Sequence, residues 1–300
     1  VSRIEQDEAE IEASRAPLMD HLIELRKRLV ICVVAFVIAF LVCFYFAAEI
    51  QLILIHPFQA ASALHAAAGP NGHGASPFDL IAATAWLKPI PAGGQSTVEL
   101  IATAPLEQLF TKMKIAGFGA VVMAFPVLAY QLYRFVAPGL YRNEKGAFLP
   151  FLIAAPLLFA LGGALVYFVM LPFVMWFSLG QQVASAGVTV ALLPKISEYL
   201  NLVTALLLAF GLCFQLPIVM TLLGLAGIIS SKVMAEGRRY AIVAVVVVAA
   251  VVTPPDPISQ LMLAVPLVLL YEISIWCVRL IEFRRRSADG AEVPRTEPEP

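Results

Sequence analysis

Charge is absent from long stretches of this chain and crowded into the connections between them. An α-helix rises 1.5 Å per residue, so about 20 apolar residues cross the roughly 30 Å of a hydrocarbon core. Six segments meet or approach that length, at about 29–49, 107–133, 147–170, 197–223, 239–253 and 258–279. The fifth, built on YAIVAVVVVAAVV, has an apolar core of about 14 residues that would reach only some 21 Å. It is expected to thin the bilayer locally or to lie shielded by its neighbours. TPPDP (253–257) follows it, and prolines that lack an amide proton and bias the preceding residue away from helix predict a tight turn. The fifth and sixth segments therefore read as a short helical hairpin.

Composition moves the reading from a helical protein to a membrane protein. Hydrophobic residues make up 60% of the 300 and charged ones 14%, with a mean hydropathy of +0.86. Soluble domains run nearer 45–50% apolar and about 25% charged. The predicted fold class is all-α, with six transmembrane helices. The first 19 residues, with EQDEAEIE among them, are acidic and read as a flexible segment. Residues 20–283 form the membrane domain, and 284–300 (RRSADGAEVPRTEPEP from 285 on) read as a disordered tail. The apolar run after the acidic segment is too long for the h-region of a cleavable leader and is expected to remain in the mature chain.

Charge gives direction. Of the 20 Lys and Arg, only Lys88, Lys112, Lys114 and Lys195 fall on one set of alternating connections; every arginine lies on the other. The positive-inside rule then puts both termini in the cytoplasm. The net charge of −1 carries no message about partners, because a bilayer reads the distribution of charge and not its sum; the lipid bilayer is the expected surface, and no nucleic-acid partner is expected. The largest external connection, about 56–104, is rich in Ala, Gly and Pro and is expected to be partly mobile. Its His56, His65 and His73 have no compact metal spacing. Cys32, Cys43, Cys213 and Cys277 sit in apolar runs without CxxC spacing, as small apolar fillers. No HExxH, GxSxG or Walker loop occurs, so neither catalysis nor a cofactor or metal is expected.

The informative residues are polar groups near lipid. HLIELRKRL (21–29) places Glu24, Lys27 and Arg28 on one side of a helix and Leu22, Leu25 and Leu29 on another, with Asp20 as a candidate N-cap. By itself it reads as an interfacial anchor, with Glu24 paired to Arg28 for a few tenths of a kcal/mol. FVAPGLYRNEKG (135–146) is expected to end the second span in a Pro-Gly break and to present Arg142, Glu144 and Lys145 on a short loop. Gln215, mid-span beside Pro217, either hydrogen-bonds a neighbouring helix or lines a pocket that a ligand enters. Glu272 is expected to pair with Arg279 or to snorkel. Pro126, Pro156, Pro217 and Pro266 permit bends that favour a curved assembly.

HLIELRKRL, HPF (56–58), FPVLAYQLYRFVAPGLYRNEK (125–145), FGLCFQLP (210–217) and TPPDPISQ (253–260), in that order, resemble the TatC family, the core subunit of the twin-arginine protein translocase. The resemblance runs from about residue 18 to 283. It implies a curved, glove-like arrangement of six helices in the bacterial cytoplasmic (inner) membrane and an oligomeric complex with single-span TatB- and TatA-type subunits. The implied function is recognition of twin-arginine signal peptides on folded cargo, which is then exported by the proton-motive force. Carried over by position, Glu24 and Glu144 would face the signal arginines, and Arg26, Arg28, Phe135, Pro138, Leu140 and Tyr141 would shape the recognition surface. Gln215 would be an intramembrane polar or partner contact, where many members carry glutamate. Pro57 and Asp256 would serve structure or assembly. The alternative reading is a small-solute secondary transporter, for which only Gln215 lies at the depth of a midplane site.

Overall fold

The computed structural model describes residues 3–68, 77–86, 105–140, 148–180, 183–185, 188–190, 195–225, 227–252 and 257–291. The helices in chain order are α1 (Arg3–Tyr45), α2 (Ala47–Ala68), α3 (Pro77–Thr84), α4 (Glu107–Leu140) and α5 (Phe148–Leu165). A π-helical turn, Val166–Met170, leads into α6 (Leu171–Gly180). Strands β1 (Val183–Ser185) and β2 (Val188–Val190) form an antiparallel hairpin with Val183 opposite Val190. Then come α7 (Ile196–Cys213), α8 (Leu216–Leu225), α9 (Ser231–Glu236), α10 (Arg238–Val252) and α11 (Pro257–Ala291). Apart from that hairpin, the described residues with regular structure are helical.

Five stretches are long and apolar enough to cross a membrane: 23–45, 107–134, 150–179, 196–225 and 260–283. The third and fourth each join two helices, through the π-helical turn and through a one-turn break at Phe214–Gln215. The fifth segment of the sequence reading is α10, whose 15 residues rise only about 22 Å. It lies antiparallel to α11, with Gln260 Nε2 donating to the Val246 carbonyl at 3.3 Å and Arg238 meeting Glu272 at 2.8 Å. Glu272 thus pairs across the hairpin and not with Arg279, whose guanidinium sits 5.7 Å from the Trp276 ring. Helical backbone also extends over 3–19 and 284–291, stretches that had read as flexible or disordered. A helix propagates cheaply from a nucleated neighbour, and Glu, Ala and Arg carry high helix propensity.

The stretch from 56 onward differs most from expectation. Within the connection read as an external, partly mobile loop, residues 56–68 belong to α2 and 77–84 form α3, and both helices enter the principal core. Phe58, Ala60, Ala61 and Leu80 are at most 2% exposed, packed with Ile115, Val166, Leu171, Val203, Leu206 and Phe210. Pro57 is buried inside α2. Its ring cannot donate to the carbonyl four residues back, Ile53, and the Tyr167 hydroxyl donates to that carbonyl at 2.7 Å. Tyr199 does the same for Leu54 at 2.9 Å. Two tyrosines from distant segments thus supply donors to carbonyls of a proline-bearing helix. Tyr167→Phe is expected to lower stability by about 1 kcal/mol, because a part-buried carbonyl that Pro57 cannot serve loses its donor; denaturant unfolding in detergent measures it, and an unchanged midpoint would refute this role for Tyr167.

Near the same corner, His56 stacks on Trp86 with ring centroids 4.2 Å apart. Trp86 adopts φ 55°, in the left-handed region that an L side chain rarely takes. Burial pushes the His56 imidazole below its ordinary range. At the opposite end of α11, Glu282 accepts from the Ser231 amide at 2.8 Å and from the Ser231 hydroxyl at 2.5 Å, which fixes the start of α9.

Candidate functional site

Where α1 and α4 pack side by side, Ile23, Glu24, Lys27, Arg28 and Ile31 face Gln131 and Arg134 across a pocket of about 390 Å³. The α1 residues recur at three- and four-residue intervals, as one face of a helix requires, and Gln131 and Arg134 are three apart on α4. The level in the membrane follows from the sequence: the uncharged run of α1 begins after Arg28 and that of α4 ends before Arg134. The pocket therefore opens at a membrane boundary, where the apolar run of each helix meets water.

Glu24 and Arg28 are brought together as the spacing predicts. Arg28 Nε donates to Glu24 Oε1 at 3.2 Å, and Arg28 Nη2 donates to the same oxygen. The Arg28 side chain is only 13% exposed, against 42% for Glu24, so the carboxylate faces the opening while the guanidinium packs beneath it. Arg134 is held by a different contact: its Nη1 lies 3.3 Å from the Tyr130 hydroxyl and its guanidinium 5.9 Å from the Tyr130 ring centre.

The remaining sequence candidates divide by position. Arg26 is exposed on α1 but does not line the pocket. Phe135, Pro138 and Leu140 occupy the last turns of α4, whose helical backbone continues to Leu140 without the expected break at Pro138–Gly139. Tyr141, Glu144 and Asp256 lie outside the described residues. Pro57 is in the core, as given above. Lys27 falls with Glu24 and Arg28 on one helix side but not among the recognition residues, and Gln131 and Arg134 were not picked out from sequence, although Gln131, a single amide in an apolar run, carried a signal. It is 9% exposed, which is unusual for glutamine unless it has a task.

Gln215 is buried at the α7–α8 break, away from this pocket. Its Nε2 donates to the Ala155 carbonyl of α5 at 3.0 Å and lies 3.5 Å from the Gly211 carbonyl. Because the Gln215 backbone amide turns to Leu212, the Gly211 carbonyl lacks its ladder partner and the side chain covers it. Of the two readings open from sequence, the contact to a neighbouring helix is the one seen. Two carbonyls facing the same atom demand a donor there, and Oε1 is left without a partner. A carboxylate at this place would meet those carbonyls with like charge. Gln215→Glu is accordingly expected to remain protonated at pH 7, detectable as a protonated-carboxyl band in infrared difference spectra. An ionised carboxylate at that pH would contradict the donor requirement.

A second cavity, of about 550 Å³, is walled by Phe125, Pro126, Phe159, Tyr167, Phe168 and Leu207 among others and is almost wholly apolar. Among the described residues no group of three or more His, Cys, Asp or Glu gathers to hold a metal.

Three comparisons bear on this arrangement. Residues 20–266 match the model of the family described as Sec-independent protein translocase protein (TatC). The Sec-independent protein translocase protein TatC of Magnetococcus marinus is 39% identical over 278 residues, covering 93% of this chain and 89% of that one. The TatC protein of Escherichia coli strain K12 is 33% identical over 273 residues, covering 91% and 92%. A crystal structure of the twin arginine translocase receptor TatC superposes with a TM-score of 0.67 at 35% identity, over 87% of this chain and 98% of that one.

Proposed function

This chain belongs to the TatC family, a multi-pass membrane subunit of the Sec-independent protein translocase, and on that premise we propose that it is the subunit that reads twin-arginine signal peptides. The observation that supports this most is Glu24, a half-exposed carboxylate at the mouth of the α1–α4 pocket, already in guanidinium contact through Arg28. An arginine presented by another chain would find there an acceptor that already pairs with a guanidinium. A guanidinium offers two parallel donors to a carboxylate, while lysine offers a point charge. Two adjacent signal arginines require two carboxylates, and Glu144, ten residues beyond Arg134, is the second in this reading. Phe135, Pro138, Leu140, Tyr141, Arg26 and Arg28 would frame the bound segment.

The wider assignment follows the same premise. Both termini lie in the cytoplasm, as the distribution of Lys and Arg favours. α10 makes a sixth, short crossing, supported by its antiparallel pairing with α11. The membrane is the bacterial inner membrane, the partners are single-span TatB- and TatA-type subunits, and the proton-motive force drives folded cargo across. Gln215 and its α5 contact brace the membrane domain, and Pro57 and Asp256 serve structure or assembly. The purified chain is expected to bind a twin-arginine peptide at least about tenfold more tightly than its twin-lysine counterpart, from the loss of bidentate pairing. Equal affinities in a fluorescence titration would sink the proposal.

A further inference from the structure

The α1–α4 pocket carries more positive charge than a receptor for cations needs. Its lining holds three basic side chains, Lys27, Arg28 and Arg134, and one carboxylate, Glu24. Arg28 is committed to Glu24. Among the described residues neither Lys27 nor Arg134 meets a carboxylate, and both are exposed. The Arg134 guanidinium is instead steadied by Tyr130, which fixes its position without neutralising it. Gln131, buried between them on α4, adds amide donors at the pocket wall.

We propose that this pocket binds the phosphate headgroup of an anionic phospholipid, with Lys27 and Arg134 supplying the charge and Gln131 a hydrogen bond. Its place at the membrane edge decides the source of the phosphate. The pocket opens where the uncharged runs of α1 (29–48) and α4 (115–133) give way to Arg28 and Arg134, at the depth of lipid headgroups, and basic pockets between helices at that depth suit anionic headgroups. Ile31, one turn deeper than Arg28, continues the lining toward the bilayer, where the first methylenes of an acyl chain would lie. Glu24 with Arg28 forms the neutral side of the pocket, so headgroup and peptide carboxylate sites are neighbours and not the same atoms. Lipid binding here stands independently of peptide recognition.

The test uses the full chain in a neutral detergent, titrated with phosphatidylglycerol or phosphatidylcholine and read by native mass spectrometry. The wild type is expected to retain one phosphatidylglycerol in preference to phosphatidylcholine. Lys27→Gln with Arg134→Gln is expected to weaken phosphatidylglycerol binding about 30-fold, two basic residues each contributing near an anionic surface. Arg239→Gln, which removes an exposed charge on another helix, is expected to change nothing, and millimolar inorganic phosphate should not displace the lipid. Equal retention of the two lipids by the wild type would overturn the proposal. So would an undiminished preference in the double variant, or the same loss in Arg239→Gln. Displacement by inorganic phosphate would make the pocket a free-anion site and overturn the assignment to lipid.

Discussion

Glu24→Ala combined with Glu144→Ala is expected to weaken binding of a twin-arginine peptide about a hundredfold while leaving the membrane fold intact. Charge-assisted hydrogen bonds contribute roughly 1.5 to 3 kcal/mol when shielded, and exposed ion pairs 0 to 1. At 42% exposure, Glu24 falls between these limits, so about 1.4 kcal/mol, or tenfold, is reasonable for each carboxylate. The two add if each takes one arginine. Removing Glu24 also leaves Arg28 without its partner at 13% exposure, so Glu24→Gln, which keeps an acceptor for Arg28, is the cleaner single variant. Unaltered peptide affinity in the double variant, with the protein still monodisperse, would refute the carboxylate assignment.

The largest expected effect on stability is at Gly162. A Cβ there would lie 2.8 Å from the Phe210 carbonyl oxygen and 2.9 Å from the Phe214 ring. The first of these is backbone and cannot rotate aside, so α5 and α7 would have to separate. Facing it, Gly211 lies so close to Phe159 that its own Cβ would be 2.6 Å from that ring. Close approach of this kind is how small residues bring helices together in lipid. Gly162→Leu is expected to cost 3 kcal/mol or more, at or above the top of the usual 1 to 3 for overpacking, because separation would also stretch the bond from Gln215 to Ala155. Thermal unfolding in detergent reads this, and Gly163→Ala is the control, since its Cβ would meet nothing nearer than Leu207 at 4.0 Å. Equal stability of the two variants would contradict the packing argument.

Much of the membrane domain is legible in the sequence because lipid imposes one rule on every span, apolarity over a fixed length. The segments about 107–133 and 197–223 fall within 107–134 and 196–225, and the segment about 258–279 overlaps 260–283; the shortness of α10 follows from its valine run. What the rule misses is structure built from small residues. α2 carries Pro57 and runs into AAAGPNGHGASP, whose Gly and Pro content marks the whole connection as a loop. It is helical because Tyr167 and Tyr199, more than a hundred residues away, satisfy carbonyls 53 and 54. The partner of Glu272 was misread for the same reason: spacing along one helix suggested Arg279, and the register of the α10–α11 hairpin delivers Arg238. At the site, helical spacing alone gave the Glu24–Arg28 pair. The addition of Gln131 and Arg134 required knowing that the far end of α4 lies beside the start of α1.

Recognition of paired arginines at the α1–α4 pocket is tested most directly by photocrosslinking from a twin-arginine peptide that carries the photoreactive group next to its arginines. Crosslinks are expected on residues 20–31 of α1 and on 125–145, to be outcompeted by unlabelled twin-arginine peptide and not by twin-lysine peptide. Competable crosslinks confined to other helices, with none on either segment, would contradict it.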